Sequence, residues 1–266
     1  MIKARQLQAT NPAPWVWAVL GGLLGLMLAT CIFAPAAWLS YALARASNGH
    51  VILNDAQGSI WRGSAQLVLS GGAGSRDATI LPGRVQWRLR PSLPMNVQIR
   101  LKADCCTAQE INLLVTPHLN GASAVVQASQ STWPATLLSG LGAPFNTIDL
   151  KATLKLNTQP LTIQWRDQQL KLEGLAELDA LDASTRLSTL HPVGSYRISL
   201  QGGATPTLNL QTLRGSLQLS GTGQFTGNHW RFNGEATAAP DAEAALSNFL
   251  DIVGRRVGPR SIITLG

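Results

Sequence analysis

Residues able to do chemistry are sparse and scattered. His50, His118, His191 and His229 stand far apart, with no two at the spacing that offers a pair of imidazoles to one metal ion. The chain has no G-x-S-x-G elbow and no phosphate-binding P-loop. Gly221-Thr222-Gly223-Gln224-Phe225-Thr226-Gly227 resembles a dinucleotide loop, yet it has one residue too many and no helix pattern after it, so it reads as a hairpin. Glu173, Glu177, Asp179 and Asp182 gather without an evident partner base and are expected to solvate a loop near Leu181–Leu190. These residues predict no catalytic centre, no metal and no cofactor. Cys105 and Cys106 are adjacent, so they pair only through a strained eight-membered ring or stay reduced. Their spacing is neither C-x-x-C nor a zinc pattern, and in an oxidising compartment the pair reads as a vicinal disulfide that stiffens a turn.

The element that places everything else lies near the N-terminus. Between Arg5 and Arg45 there is no charged residue and no histidine, and Trp15–Tyr41 is almost continuously apolar. A bilayer core of about 30 Å needs roughly 20 apolar residues in a helix. Trp15 and Trp17 at one edge and Trp38 and Tyr41 at the other match the interfacial preference of amphipathic rings. Lys3 and Arg5 mark the N-terminal side as cytoplasmic. The expected organisation is a cytoplasmic segment 1–14, a transmembrane helix 15–41 and an exported, periplasmic domain 42–266. Two processed alternatives stand beside it: cleavage after Ala42-Leu43-Ala44, and a lipoprotein-like Leu28-Ala29-Thr30-Cys31. In the anchor reading Cys31 is a small polarizable residue in an apolar helix.

The exported part holds enough residues for a real core and reads as a sheet. Val85, Trp87 and Leu89 alternate with Arg84, Gln86, Arg88 and Arg90, and Val97, Ile99 and Leu101 alternate with Gln98, Arg100 and Lys102. The same period of two runs through Leu150–Leu156, Leu161–Arg166, Leu208–Leu210 and Leu217–Leu219. Such runs make one apolar and one polar face. Turns are expected at Leu81-Pro82-Gly83, Arg90-Pro91, Pro117–Gly121, Gln159-Pro160, Gly202-Gly203 and Gly227-Asn228. Two short helices are expected, at Ser131–Leu141 (Thr132 as cap, Pro134 in the first turn) and at Asp241–Val253 (Asp241 as cap). The fold class is mainly β: a transmembrane helix followed by an antiparallel, strongly twisted sheet, as a sandwich, a partial barrel or an open groove, with a closed core as the plainer form. Trp61-Arg62, Trp87-Arg88, Trp165-Arg166 and Trp230-Arg231 form a weak echo, with each Trp expected inward and each Arg outward. The charge is +7, and without Lys3 and Arg5 the exported part carries +5, a surplus suited to anionic headgroups. The basic residues are spread singly, which argues against nucleic acid.

Four blocks carry a family resemblance. They are Gly58-Ser59-Ile60-Trp61-Arg62-Gly63-Ser64-Ala65, Leu81 through Pro91 with Trp87 at its centre, Leu190 through Arg197 with Pro192, Gly194, Ser195 and Tyr196, and Leu213 through Gly223 with Gly215 and Gly221. The last continues to Phe232-Asn233-Gly234-Glu235-Ala236. In this order, over nearly the whole chain, they resemble the type II secretion system protein N family. The resemblance implies a non-catalytic inner-membrane component of the apparatus that exports folded proteins across the outer membrane of Gram-negative bacteria, with other subunits of that machine as partners. Its motif residues are structural. A looser similarity of the G-x-x-W-x-G opening to AsmA-like proteins implies the rival, a membrane-anchored β-groove that binds or transfers phospholipid. That rival requires an uncovered apolar strip several strands long.

Overall fold

The computed structural model describes residues 15–143, 145–167, 169–226 and 229–266. Lys3, Arg5 and the Gly227-Asn228 turn lie outside the described residues.

The apolar N-terminal stretch is two helices, not the single one expected over 15–41. Helix α1 (Trp15–Ile32) is apolar all round and buries nothing within the chain, which suits a helix solvated by lipid. Its mean hydropathy is 2.0, and 18 residues reach about 27 Å. Helix α2 (Ala36–Ala46) follows. The break is the work of Pro35, which lacks an N–H and blocks the preceding turn. The freed backbone finds other partners: Ala34 O accepts from Ile60 N at 2.9 Å, and Pro35 bridges to Ser59. Thus Ala36, Leu39 and Leu43 pack on the sheet, while Trp38 and Tyr41 face outward.

The strands form one antiparallel meander. In chain order they are β1 (Val51–Gly58), β2 (Arg62–Ser70), β3 (Ala78–Ile80), β4 (Val85–Ser92), β5 (Asn96–Ala103), β6 (Ile111–His118), β7 (Gly121–Val126) and β8 (Ser129–Pro134). A 3-10 turn over Ala135–Leu141 and the short α3 (Phe145–Ile148) precede β9 (Lys151–Thr158), β10 (Leu161–Arg166) and β11 (Gln169–Ser184). Then come β12 (Gly194–Gly203), β13 (Thr207–Gly215), β14 (Leu217–Thr226), β15 (His229–Ala238), α4 (Glu243–Val253), β16 (Arg255–Val257) and β17 (Arg260–Leu265). β7 and β8 act as one interrupted strand, as do β9 and β10, because β7 pairs with β10 and β8 with β9. β11 pairs with β10 through its first residues and with β9 through the rest. Gly174, at positive φ, lies between these two pairings. Among the described residues no pairing joins β1 to β16 or β17, so the sheet is open rather than a closed barrel.

Several local expectations change. Ser131–Pro134 is strand, because β8 zips onto β9 from Ser129↔Thr158 to Pro134↔Thr153; only Ala135–Leu141 coils, placing Leu137 against Leu81, Ala103 and Cys106. Asp241 precedes α4 instead of capping it; the residue before the helix is the buried Ala242, which makes no side-chain cap. Pro91 belongs to β4 rather than a turn. Leu89 N–H donates to Trp61 O, so the nitrogen at position 91 faces the same side, where β2 has already ended and no donor is needed. The acids at 173–182 lie on β11, not in a loop.

One face of the sheet is apolar, and helices cover its two ends. α2 and the 3-10 turn lie over the first strands, where Leu53, Ala65 and Trp87 are buried. α4 lies over the last, with Leu246, Phe249 and Leu250 against Tyr196, Leu217 and Ala236.

Candidate interaction site

Gly58, Gly63 and Trp87 form one joint. Gly58 faces Gly63 across β1 and β2, and Gly63 faces Trp87 across β2 and β4. A Cβ on Gly63 would stand 2.5 Å from Trp87 Cζ2, so the bare backbone is the shelf on which the indole lies. Gly58 has φ +89°, a left-handed conformation that glycine adopts without strain. Trp87 is 3% exposed, and its indole N–H donates to Ile60 O at 3.1 Å and Ser59 O at 3.3 Å. Trp61 takes another role: its indole N–H donates to Cys31 O at 2.8 Å, tying the β1–β2 turn to the last turn of α1. Of the four Trp-Arg pairs only Trp87 is buried; Trp165 is 45% exposed, and Trp61 and Trp230 are half-buried. Register still puts Trp165 on the face of Ile163 and Trp230 on the face of Ala236, so these two point inward without being buried, whereas Trp61 lies in the turn before β2.

The later motif residues do comparable work. Gly194 faces Gly215, and a Cβ on either would strike the other strand's backbone. Gly194 also makes room for the Tyr196 hydroxyl, which donates to Leu217 O at 3.1 Å. Burial pushes the Tyr196 phenol pKa far above its ordinary value. Ser195 is buried and its Oγ accepts from Asp182 N at 2.9 Å and from Arg214 Nε at 3.3 Å. Gly221 and Gly234 are cross-strand partners, and side chains there would overlap the Phe232 ring. Pro192 precedes β12 through a cis bond with His191. The motifs thus come together as backbone shelves at separate places in the sheet, not as one reactive centre.

The charged groups sit on the outer face in cross-strand rows. Lys155, Asp179 and Arg197 are register partners on β9, β11 and β12. Arg197 Nε and Nη2 donate to Asp179 at 2.6 and 2.8 Å, and that pairing holds the Asp179 carboxyl below the usual carboxylate range. Arg214 pairs with Asp182 at 2.6 Å. Nearer the anchor, Arg62, Arg88 and Arg100 are successive partners on β2, β4 and β5, with Glu110 3.9 Å from Arg100. Cys105 and Cys106 are bonded to each other in the β5–β6 turn. Among the described residues no three of His, Cys, Asp and Glu gather as metal ligands.

The inner face of the sheet offers an extended apolar surface. A groove of about 400 Å³ lies between α2 and the sheet, lined almost wholly by apolar side chains, among them Leu39, Leu43, Leu67, Trp87, Ile99 and Trp133. Beyond it the strip continues across strands: Val97, Val115, Ala124, Ile163 and Leu172 are successive register partners. The first four are only half-buried. Sequence alternation found Val97 and Ile163 of this strip but not Val115, Ala124 or Leu172; which members the helices leave uncovered depends on where Pro35 and the 3-10 turn send the chain.

An apolar N-terminal helix, an open meander and a set of glycine shelves are what the geometry offers, and comparison with known proteins identifies the meander. The family model for type II secretion system (T2SS), protein N, matches residues 50–263. The chain belongs to that family. The match begins at the end of the α2–β1 connection and runs into β17, so the whole meander is the family's domain. No curated protein and no solved structure matches the chain. Family membership identifies the chain as a component of protein secretion and implies other subunits of that system as partners.

Proposed function

We propose that this protein is a single-pass inner-membrane component of the type II secretion machine, with residues 1–14 in the cytoplasm and the β domain in the periplasm, and that it works by contact rather than catalysis. Family membership carries this reading. The anchor reading is supported by α1, apolar all round and free of intramolecular burial. Two sheet edges differ in a way that bears on where contact is made. On β1, Val51 N–H donates to Ser47 Oγ and Leu53 O accepts from Ser40 Oγ, so α2 and the residue that ends it occupy these two outward backbone groups. At the other end β16 pairs with Arg260–Ile262 of β17 only, which leaves Ile263–Leu265 with one neighbour. An unpaired edge accepts a strand from a partner, and a secretion subunit presenting an extended segment fits it. Crosslinking in intact envelopes, with a photoreactive residue at Thr264 or Val257, tests this. Recovery of other secretion subunits is the expected result; recovery of none from these positions overturns the edge as contact site.

A second reading has its own observation. The half-covered apolar strip and the groove beside α2 supply the uncovered surface that a lipid-binding protein needs, and an acyl chain matches their chemistry. Phospholipid co-purifying in defined stoichiometry, and lost on Ile99→Asp, supports it; lipid-free protein with an intact fold refutes it.

A further inference from the structure

In a meander, alternate turns fall at the same end of the sheet. The β1–β2 turn defines one end, because Trp61 ties it to Cys31 in the last turn of α1. The β4–β5, β6–β7 and β10–β11 turns lie at that end too. The register aligns them: Pro91 faces Val97, Val97 faces Val115, His118 faces Gly121, and Gly121 faces Arg166. Asp167 N–H donates to Asn120 O at 3.2 Å, and Asn120 Nδ2 donates to Asp167 Oδ1 at 3.1 Å, so two of the tips are joined. Met95 shares an open depression with Leu119 and Asp167.

These tips carry large apolar residues that nothing covers. Leu93 is 92% exposed, Met95 73%, and Leu119 is fully exposed. Turn tips are ordinarily polar or glycine-rich. The opposite end shows the ordinary pattern, with Asp104, Ala108 and Gln109 exposed in the β5–β6 turn. Arg90, His118 and Arg166 flank the apolar tips and are exposed, with Asp167 as the nearby acid. Further along the outer face at this end stands the Arg62–Arg88–Arg100 row, where like charges face one another across strands at an energetic cost. Trp38, one turn into α2, is also exposed at this end. Apolar tips backed by cations and an aromatic, beside the end of a membrane span, are the composition of an interfacial belt.

The geometry points to the anchor-side rim of the sheet, through Leu93, Met95 and Leu119, as a second membrane contact that dips into an anionic bilayer beside α1 while the arginines meet lipid headgroups. This rests on α1 spanning the membrane. The rim holds the sheet upright on the bilayer, so that the groove beside α2 and the free edge at β17 keep a fixed height above it.

The test uses the full chain with Cys31→Ala, reconstituted into phosphatidylcholine–phosphatidylglycerol vesicles. A single environment-sensitive fluorophore is placed at Leu93→Cys or Leu119→Cys, with Leu24→Cys in α1 and Gln109→Cys at the far end as references. Lipids carrying a nitroxide high on the acyl chain should quench positions 93 and 119 nearly as they quench 24, and leave 109 bright. Quenching at 24 with 93 and 119 as bright as 109 overturns the rim contact and leaves the anchor standing. Absence of quenching at 24 as well overturns the anchor, and the rim contact with it. Far-UV circular dichroism of each labelled chain confirms that these exposed substitutions leave the sheet intact.

Discussion

Trp87 and Trp165 occupy equivalent Trp-Arg pairs in the sequence, and the structure assigns them very different weights. Trp87 is 3% exposed, lies on the Gly63 shelf and donates to Ile60 and Ser59 carbonyls. An indole buries about 150–250 Å². At about 25 cal/mol per Å² its removal forfeits roughly 4–6 kcal/mol as an upper bound. The neighbouring groove lets the site relax, so about 3–5 kcal/mol is expected for Trp87→Ala. Trp165 is 45% exposed, so about half that area is at stake, and Trp165→Ala should cost roughly 1.5–2.5 kcal/mol. Urea unfolding of the full chain in detergent, followed by far-UV circular dichroism, measures both. With a slope near 3 kcal/mol per molar, the Trp87 variant should unfold about 1 M or more earlier than wild type and well before the Trp165 variant. Equal midpoints for the two variants would refute the claim that helix cover, rather than motif identity, decides which tryptophan holds the sheet.

Gly63→Ala and Gly221→Ala each place a methyl into an aromatic ring, that of Trp87 or Phe232, and should lower stability by about 1–3 kcal/mol in the same urea assay. Asp179 has its pKa depressed by Arg197, so the stability it contributes is complete above the ordinary carboxylate range and is lost as pH falls through the lower, folded value. Asp179→Asn should therefore lower the neutral-to-alkaline plateau of a stability–pH curve and flatten its acid limb below about pH 4, so that variant and wild type converge in acid. Ser40→Ala with Ser47→Ala strips the cover from Leu53 O and Val51 N–H and should cost about 1 kcal/mol per lost hydrogen bond, with faster self-association visible by light scattering. Reducing the Cys105–Cys106 bond opens no chain loop beyond two adjacent residues, so the unfolding midpoint should barely move on adding reductant.

The parts of this fold that were readable in the sequence are those decided between neighbours on one strand. β4, β5, β9 and β10 are legible because alternation needs only the chain's own pleat, and the glycine blocks are legible as turns or close approaches. The parts that were not readable are decided between strands. β8 looked like a helix start because Thr132 and Pro134 suit a cap and a first turn, yet its hydrogen bonds go to β9, nineteen or more positions on. The acids of β11 looked like loop because their counter-charges, Arg197 and Arg214, come from β12 and β13.

The same distinction explains the site. Composition revealed an apolar face, but what leaves part of that face open is the length of its cover. Pro35 ends α1 and turns only eleven residues of α2 over the first strands, while α4 reaches only the last, so among the described residues β6, β7 and β10 have no helix packed along them. A single helix running unbroken to Tyr41 would have carried Ala36 and Leu39 away from the sheet and removed two of the side chains that now line the groove and its floor. Pro35 is therefore the residue that divides the apolar N-terminus between the free-standing α1 and the sheet-packed α2. The Ala34–Ile60 and Cys31–Trp61 hydrogen bonds then fix the β1–β2 turn to the point where α1 ends.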